Sequence, residues 1–251
     1  MLKIEKFEVL GWEHAIRGMR NPKNSWEKSD SGWDASIPPI ELRNKVDWDE
    51  YAKQYITAQY SAEYDYDIGP NDQKLMKSLA NGGPVHAKYR RMITVYLDIT
   101  APLYWWKEFD TYKVGTVANS CSTMHKIHSK EFTLEDFSCE HLMTFSDQKI
   151  PYASNVKYFL DYKEVMNQTI WGLNNARALY LETKDKKYWW QMIQLLPSSY
   201  NQKRTVMLNY EVLANIYRWR RDHKLDEWHT FCDWIEGLPY SELITGKKVE
   251  E

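Results

Sequence analysis

The sequence predicts an α+β protein with a small, mostly antiparallel sheet, flanking helices and a helix-rich C-terminal half. Apolar and polar residues alternate in short segments of the first half, as they do in half-buried strands. Apolar residues recur at three- and four-residue spacing through most of the second half, as on one face of a helix. The 251 residues show no internal repeat and no change of compositional regime, so we predict a single domain over residues 1–251.

The first predicted elements are a strand at Lys3–Leu10 and a helix at 12–19. Residues 21–47 contain several Ser, Gly and Pro residues and little periodicity, which predicts an irregular excursion from the fold. Residues 47–60 are weakly helical. A clearer helix is expected to begin with Asn71 as its N-cap and to end at the Asn-Gly-Gly-Pro sequence that follows.

The clearest strand covers residues 92–99, where the odd-numbered apolar residues face one way and the even-numbered residues face the other. Pro102 is expected in the first turn of a helix, where its missing N–H group costs nothing. This helix, at 103–112, is aromatic over most of its circumference, which is typical of a helix buried on several sides. Residues 113–150 are predicted to be irregular.

Helices dominate the rest of the chain. They are predicted at 155–182 and 186–196, then after a strand at 200–208 as two further helices, the last at 225–238. The helical spacing assigns several aromatic residues to core-facing positions. Among them are Phe159, Tyr162, Trp219 and Trp228.

The composition restricts partners and location. The chain has 33 Lys and Arg against 35 Asp and Glu, a net charge of −2, whereas a nucleic-acid-binding domain is usually basic. No apolar run is long enough to span a membrane, so neither nucleic acid nor membrane is predicted as a partner. Three cysteines without a CxxC pair, and an N-terminus without a signal-peptide pattern, predict a cytoplasmic protein. The 12 Trp, 18 Tyr and 7 Phe are left to fill the core, a subunit interface or a stacking site for a planar ligand.

One Cys/His-rich segment is a candidate metal site. Thiolate and imidazole ligands at close spacing can bind zinc, but the intervals here match no standard zinc pattern. No metal is therefore predicted. The residues concerned are Cys121, His125, His128, Cys139 and His141.

Two basic clusters are candidate phosphate sites. Each could hold a phosphate through charge-assisted hydrogen bonds, or could be a solvated face or a set of ion pairs with the abundant acids. The first contains Lys88, Arg90 and Arg91, and the second contains Arg218, Arg220 and Arg221 with His223 and Lys224. No phosphate-loop, dinucleotide-binding or nucleophile-elbow motif occurs.

The segment 98–113 reads Asp-Ile-Thr-Ala-Pro-Leu-Tyr-Trp-Trp-Lys-Glu-Phe-Asp-Thr-Tyr-Lys. It resembles the flavin-dependent thymidylate synthases, in which a strand leads through an Ala-Pro-like turn into a helix. The family signature Arg-His-Arg-x-x-Ser-x-Asn-Glu-x-Ser-x-Arg-Tyr then falls on residues 111–124. Lys113, Thr116 and Cys121 are its conservative matches.

A second segment supports the resemblance. After Leu196-Pro197 and the predicted strand, Asn209, Asn215 and Arg220 stand at the family's spacing. The resemblance implies that Asn209 and Asn215 contact FAD, and that Arg220 acts on the substrate side as a catalytic residue.

The resemblance also implies a neighbourhood for the FAD phosphates. It places Lys113 and Thr116 there, together with Tyr112, which replaces a His of the signature; the basic cluster at 88–91 could supplement them. His86 falls where the family has a His, and it either contacts the flavin or is a structural residue.

The positions that hold the nucleotide in the family carry other residues in this chain. Glu108 stands for a Gln, Asn119 for a Glu and Cys121 for a Ser; these three are the predicted substrate-binding residues. Family arginines are replaced by Thr111, Thr123 and Ile193. Because a phosphate needs fixed donors and positive charge, these replacements imply either an altered substrate or a loss of catalysis.

The resemblance implies FAD-dependent one-carbon transfer and reduction on a pyrimidine deoxynucleotide. The reaction would convert dUMP to dTMP or act on an altered substrate, with NADPH and methylene-tetrahydrofolate as co-substrates. The family builds its sites between the subunits of a tetramer, so a homotetramer is implied as well. The alternative is a non-catalytic relative that keeps the fold and binds a nucleotide or a partner.

Overall fold

The computed structural model describes residues 2–33, 66–148 and 160–246. Within these ranges the protein is α+β, as predicted, with a small antiparallel sheet and a helix-rich C-terminal half. The strands are β1 (Lys3–Leu10), β2 (Gly32–Trp33), β3 (Tyr66–Asp67), β4 (Thr94–Pro102), β5 (Val117–Ser120) and β6 (Asn201–Asn209). The helices are α1 (Trp12–Arg20), α2 (Pro70–Asn81), α3 (Leu103–Phe109), α4 (Thr123–Lys126), α5 (Tyr162–Thr183), α6 (Lys186–Leu195), α7 (Tyr210–Arg220), α8 (Asp226–Glu236) and α9 (Glu242–Thr245). Among these described helices, none combines the length and the apolarity that crossing a membrane requires.

The sheet contains four strands in the order β1-β4-β6-β5, and β2 pairs with β3 in a separate antiparallel ribbon. The strand predicted at Lys3–Leu10 is confirmed at both ends. The alternation predicted near β4 is also confirmed: Val95, Leu97 and Ile99 are buried, whereas the Tyr96 side chain between them is exposed. The pleat of a strand sends successive side chains to opposite faces, so the residue pattern determined which face enters the core.

The chain divides into two compact units. The first unit comprises Met1–Glu5, Asp98–Thr111 and Ala118–Thr205, and the second comprises Lys6–Leu97, Tyr112–Val117 and Val206–Glu251. Strands β1, β4 and β6 contribute residues to both units. The single domain over residues 1–251 stays a prediction.

The first unit has its core between α5, α6 and the segment that precedes them. Leu173 and Ala176 of α5 and Met192 of α6 are buried there. Helix α3 of the same unit carries Trp105, Trp106 and Phe109, all almost completely buried. The indole N–H of Trp106 donates to the Gln202 carbonyl at 2.9 Å, so this buried donor is paired.

The second unit has its core among α1, α7, α8 and α9. The Trp12 ring of α1 meets Tyr210 of α7 edge-on, with centroids 5.3 Å apart, and meets Tyr240 at 5.2 Å. Trp228 and Phe231 of α8 are fully buried. Edge-to-face ring pairs add to the free energy gained by burying aromatic area, and they fix the start of α7 against α1.

A buried ion pair joins α1 to α2 in the second unit. The Arg20 Nε donates to Asp72 Oδ1 at 2.6 Å, and the two side chains are 5% and 0% exposed. The other Asp72 oxygen accepts from the hydroxyls of Ser29 and Ser31 at 2.5 and 2.8 Å. Burial raises the pKa of this carboxyl, but the hydrogen bonds from Ser29, Ser31 and Arg20 outweigh it, so its pKa lies below the usual range.

The start of α2 differs from the prediction. Asn71 is not its N-cap, because α2 begins at Pro70, a residue suited to the first helical position. The carboxylate of Asp30 accepts hydrogen bonds from the backbone N–H groups of Asn71 and Asp72 at 2.8 and 3.0 Å. The cap therefore comes from another part of the chain, which local sequence patterns do not reveal.

The region after β4 also differs. Pro102 is the last residue of β4 and the N-cap of α3, and the helix predicted at 103–112 ends at Phe109. It ends there because the backbone N–H of Thr111 turns back to the Glu108 carbonyl at 3.1 Å, and the Thr111 hydroxyl donates to the same oxygen at 2.7 Å. The region predicted to be irregular at 113–150 contains β5 and the short helix α4.

The aromatic assignments are confirmed in part. Trp228 is buried, as predicted, but Tyr162 is 43% exposed and Trp219 is 67% exposed. The prediction for these two was wrong because helical spacing identifies a face, not whether a neighbour covers it. Phe159, the weak helix at 47–60 and the first residues of the predicted helix at 155–182 lie outside the described residues.

We expect Asp72→Asn to lower the free energy of unfolding by about 3 kcal/mol, because it leaves the buried Arg20 charge unpaired. Asp233→Asn is the matched control: its pair with Arg221 is solvent-exposed, and such pairs contribute less than about 1 kcal/mol. Urea denaturation measures the loss of stability in both variants.

Because the pKa of Asp72 is lowered by folding, the stability that its carboxylate contributes is present above the unfolded-state pKa and is lost as pH falls through the folded-state pKa. The difference between wild type and Asp72→Asn should therefore narrow in acid, and equal losses in the two variants would contradict the account.

Candidate functional site

The start of α7 is fixed by a side-chain cap. Strand β6 ends at Asn209, whose backbone is extended, and its Oδ1 accepts from the backbone N–H of Val212 at 3.1 Å. Asn is among the best residues at this position. The next residue, Tyr210, is fully buried, and its backbone N–H donates to the Ile93 carbonyl at 3.0 Å. One predicted FAD residue therefore has a defined structural role at the N-terminus of α7.

The segment Tyr112–Val117 brings two further predicted residues to the same helix end. Gly115 has φ +82°, and a Cβ atom on it would lie 3.0 Å from Asn209 Nδ2 and 3.2 Å from Val212 Cγ2. Only glycine fits this approach comfortably. The Thr116 N–H donates to the Lys113 carbonyl at 3.3 Å, which closes a turn over residues 113–116. The turn that carries Lys113 and Thr116 thus lies against Asn209.

The polar groups of this turn differ in their surroundings. The Lys113 side chain is exposed. The Thr116 hydroxyl oxygen is buried and has no hydrogen-bond partner among the described residues. A buried hydroxyl left unpaired is destabilising, and such a group calls for an explanation in a native structure.

The residues of the basic cluster at 88–91 differ in burial. Arg90 is 8% exposed, and its guanidinium pairs with Glu211 at 2.7 Å and donates to the Leu243 carbonyl at 2.9 Å. Of the two alternatives left open for this residue, the ion pair is the one that the structure contains. Lys88 and Arg91 are exposed. The pairing also offsets the negative charge of Glu211, which would otherwise oppose an anion at the first turn of α7.

Arg220, the predicted catalytic residue, lies at the other end of α7. Its Nε donates to the Tyr112 hydroxyl oxygen at 2.9 Å. Its guanidinium carbon lies 4.8 Å from the Trp228 ring centroid and 5.6 Å from the Tyr112 ring centroid. The Trp228 ring meets Tyr112 at 6.1 Å and His223 at 6.3 Å, both edge-on. The contacts that hold the Arg220 cation thus include this hydrogen bond and two aromatic rings.

The other two predicted residues of this unit occupy separate places. Asn215 is exposed on α7. His86 is exposed in the turn that follows α2, where its backbone N–H donates to the Gly83 carbonyl at 3.0 Å. A Cβ on Gly82 would lie 3.2 Å from His86 Cδ2. The two roles left open for His86, flavin contact and structural residue, both stay predictions.

The predicted substrate residues belong to the first unit. Glu108 is half-buried on α3, and Asn119 is exposed on β5. Cys121, just after β5, is held through its backbone: its N–H donates to the Lys203 carbonyl at 2.9 Å, and its own carbonyl accepts from the Gln202 side chain at 2.8 Å. The Cys121 side chain is exposed.

The Cys/His-rich segment lies within the first unit. Across the described ranges, no group of three or more His, Cys, Asp or Glu side chains is arranged to hold a metal ion. His128 is packed edge-on against Tyr180 at 5.0 Å, and Cys139 lies against the core of α5 and α6.

Solved structures match this fold over nearly its whole length. Thymidylate synthase X from Helicobacter pylori, crystallised with FAD and dUMP, matches with a TM-score of 0.59 at 14% identity, covering 98% of this chain and 97% of that chain. The chain has the fold of the flavin-dependent thymidylate synthases. A second structure of the flavin-dependent thymidylate synthase from Helicobacter pylori, with FAD and dUMP, gives 0.57 at 14% identity, with coverage of 97% and 96%. The UMP/dUMP methylase PolB from Streptomyces cacaoi, bound with 5-Br UMP, gives 0.56 at 11% identity, with coverage of 98% and 95%.

The resemblance predicted from residues 98–124 and 196–220 is confirmed at the level of the flavin-dependent thymidylate synthase fold. No protein-family model matches the chain, and no curated protein matches it in sequence. The likeness therefore lies in the arrangement of the helices and strands.

Two residues of the candidate site were not singled out from the sequence. Gly115 permits the close approach of the turn to Asn209, and Trp228 packs against the Arg220 guanidinium. The sequence feature that could have identified Gly115 is that it is a lone glycine between a helix and a strand. Trp228 was predicted as a core residue, and nothing in its helical spacing indicated that it also contacts a cation.

We expect Gly115→Ala to lower the free energy of unfolding by more than Gly83→Ala does. Both residues have positive φ, but a Cβ on Gly83 meets nothing within 4 Å, whereas one on Gly115 crowds Asn209. Gly83→Ala should cost about 1 kcal/mol from backbone strain alone. Gly115→Ala should cost about 1 kcal/mol more, because the cap is displaced. Urea denaturation measures the difference, and equal losses would show that the turn does not press on the cap.

Proposed function

We propose that this protein is a divergent relative of the flavin-dependent thymidylate synthases that binds FAD and a pyrimidine deoxynucleotide. Its reaction would be one-carbon transfer and reduction on that nucleotide, from dUMP to dTMP or on an altered substrate. The observation that carries the proposal is the meeting of the 113–116 turn with the Asn209 cap, because residues assigned to FAD from two distant segments come together there.

The residues present at this turn fit a flavin phosphate. Lys113 offers an exposed positive charge, and the buried Thr116 hydroxyl is a donor without a partner among the described residues. The Asn209 amide nitrogen faces the turn, while its oxygen caps the helix. The N-terminus of a helix favours anions, and Arg90 offsets the one acid of the first turn. When bound, FAD would supply the hydride chemistry, and the chain would supply placement and charge.

Arg220 is proposed as the residue that acts on the nucleotide. Its charge is held between Tyr112 and Trp228, so it is already oriented before a ligand binds. Glu108, Asn119 and Cys121 of the first unit are proposed as substrate-binding residues by resemblance alone. NADPH and methylene-tetrahydrofolate are the proposed co-substrates. A cytoplasmic location belongs to the same proposal, since all three cysteines are free and a reducing compartment keeps thiols so.

We expect the purified protein to carry, or to take up, FAD and to show the visible absorbance of an oxidised flavin. Lys113→Gln should weaken FAD binding about tenfold, because a charge-assisted hydrogen bond to phosphate is lost. Lys74→Gln is the control, since it removes an equal charge from an exposed site on α2. Titration calorimetry with FAD measures both.

Asn209→Asp is a second variant for the FAD titration. Aspartate keeps the helix cap but replaces the amide that faces the turn with a negative charge, so FAD binding should weaken while the melting temperature is maintained. A colourless protein that fails to bind added FAD would overturn the proposal.

Turnover separates the two forms of the proposed function. Incubation with dUMP, NADPH and methylene-tetrahydrofolate, followed by mass spectrometry of the nucleotide, should detect a methylated product if dUMP is the substrate. Binding of FAD and nucleotide without any turnover would favour the non-catalytic relative. The replacement of family arginines by Thr111, Thr123 and Ile193 is the sequence observation that supports this alternative.

We also propose a homo-oligomer, a tetramer by resemblance. The supporting observation is an apolar groove on α5 and α6, of about 460 Å³, which includes Leu160, Val165 and Leu195. These side chains are about half exposed, at 55%, 48% and 49%. The polar residues Asp161, Glu164, Gln168 and Thr169 also line the groove, and a second copy of the chain is its proposed occupant by resemblance.

We expect Val165→Lys to shift the protein toward smaller species, because a charge would be buried in the interface. Leu134→Lys is the matched control, at an equally exposed leucine outside the groove. Size-exclusion chromatography with light scattering measures the mass. A monomeric wild type, or an unchanged mass for Val165→Lys, would remove the groove as the interface.

A further inference from the structure

We propose that Tyr112 is a positioning residue, which holds the Arg220 guanidinium in place for the pyrimidine nucleotide. This inference rests on the proposed function for its ligand, but the contact itself is a property of the second unit alone. The Arg220 Nε–H donates to the Tyr112 hydroxyl oxygen at 2.9 Å, and both side chains are half-buried.

The contact constrains an otherwise flexible side chain. An arginine has several rotatable bonds, and immobilising it on ligand binding reduces affinity. Here the hydrogen bond fixes Nε, and the Trp228 ring covers the guanidinium at 4.8 Å. Trp228 is fully buried and meets Phe231 edge-on at 6.0 Å, so the surface on which Arg220 lies is itself rigid. Much of the ordering of Arg220 is thus complete before any ligand arrives.

The position of Tyr112 in the chain gives the contact a second consequence. Tyr112 begins the segment whose Gly115 lies against Asn209 at the start of α7, whereas Arg220 is the last residue of the same helix. One short segment therefore touches both ends of α7. The placement of Arg220 depends on the same turn that is proposed to hold the FAD phosphates.

The chemistry of the phenol suits this role. A tyrosine oxygen that accepts from Arg220 still carries its own proton, which can be donated to a ligand oxygen. Phenylalanine would keep the ring and its contact with Trp228 but would lose the acceptor. Tyr112→Phe therefore removes the proposed interaction with little change in packing.

The matched control is Tyr217→Phe. Tyr217 also lies on α7, and its hydroxyl donates to Glu236 at 2.5 Å. The same atom is removed from the same helix, beside Arg221 rather than Arg220. A general loss of stability would affect both variants, whereas a loss of positioning would affect only Tyr112→Phe.

The first measurement needs no ligand. NMR of the arginine Nε–H groups, with the Arg220 signal assigned from Arg220→Lys, should show hydrogen exchange about tenfold slower at Arg220 than at exposed Arg218. Tyr112→Phe should remove this difference, and Tyr217→Phe should leave it unchanged. Fast exchange at Arg220 in the wild type, or slow exchange that survives in Tyr112→Phe, overturns the proposal.

The second measurement is calorimetry of dUMP binding to the FAD-loaded protein. Tyr112→Phe should weaken dUMP binding about tenfold, and Tyr217→Phe should match the wild type. In an Arg220→Ala background, Tyr112→Phe should have less than a twofold effect, because the tyrosine acts through the arginine. A full effect in that background, or none in the wild-type background, overturns the proposal. If the wild type does not bind dUMP, the proposed function fails, and the exchange measurement alone decides whether Tyr112 positions Arg220.

Discussion

The Asn209 cap is the contact on which the second unit depends. Its side-chain oxygen begins α7, and its nitrogen sets how closely Gly115 can approach. A helix start leaves backbone N–H groups unpaired, and here a residue from the end of a strand pairs with one of them. Because the 112–117 segment is packed against this cap, the place where β6 becomes α7 determines where Lys113, Thr116 and Tyr112 lie.

Charge is distributed around α7 in a way that supports this arrangement. At its first turn, the buried Arg90 pairs with Glu211. At its last residue, Arg220 lies between two rings and donates to a phenol oxygen. The two arginines came from basic clusters that looked alike in the sequence. Arg90 is paired with Glu211, and Arg220 is positioned by Tyr112 and Trp228.

Most of the aromatic residues pack in the cores of the two units, and a few belong to the candidate site. Trp105, Trp106 and Phe109 fill the first unit, and Trp12 and Phe231 fill the second. Trp228 is both a core residue and the surface on which Arg220 lies. Others, such as Trp219, remain exposed. The abundance of aromatic residues is therefore mostly a matter of packing, with a few rings taking part in the candidate site.

Periodicity predicted β1, the buried face of β4 and the bounds of α6 to within a residue, because those elements are determined by alternation and by helical spacing within one segment. The start of α2 could not be predicted, since its cap is Asp30, which lies far away in the sequence. The residues of the candidate site came from a resemblance in order and spacing. Which of them meet, Asn209 with the 113–116 turn and Arg220 with Tyr112, is decided by tertiary packing that no single segment encodes.

We propose that FAD phosphate binds at the 113–116 turn, beside the Asn209 cap. The most direct measurement is a crystal structure of the protein grown with FAD and dUMP. We expect electron density for FAD phosphate oxygens beside Lys113, Thr116 and Asn209. Density for FAD elsewhere on the molecule, or none at saturating FAD, would contradict it.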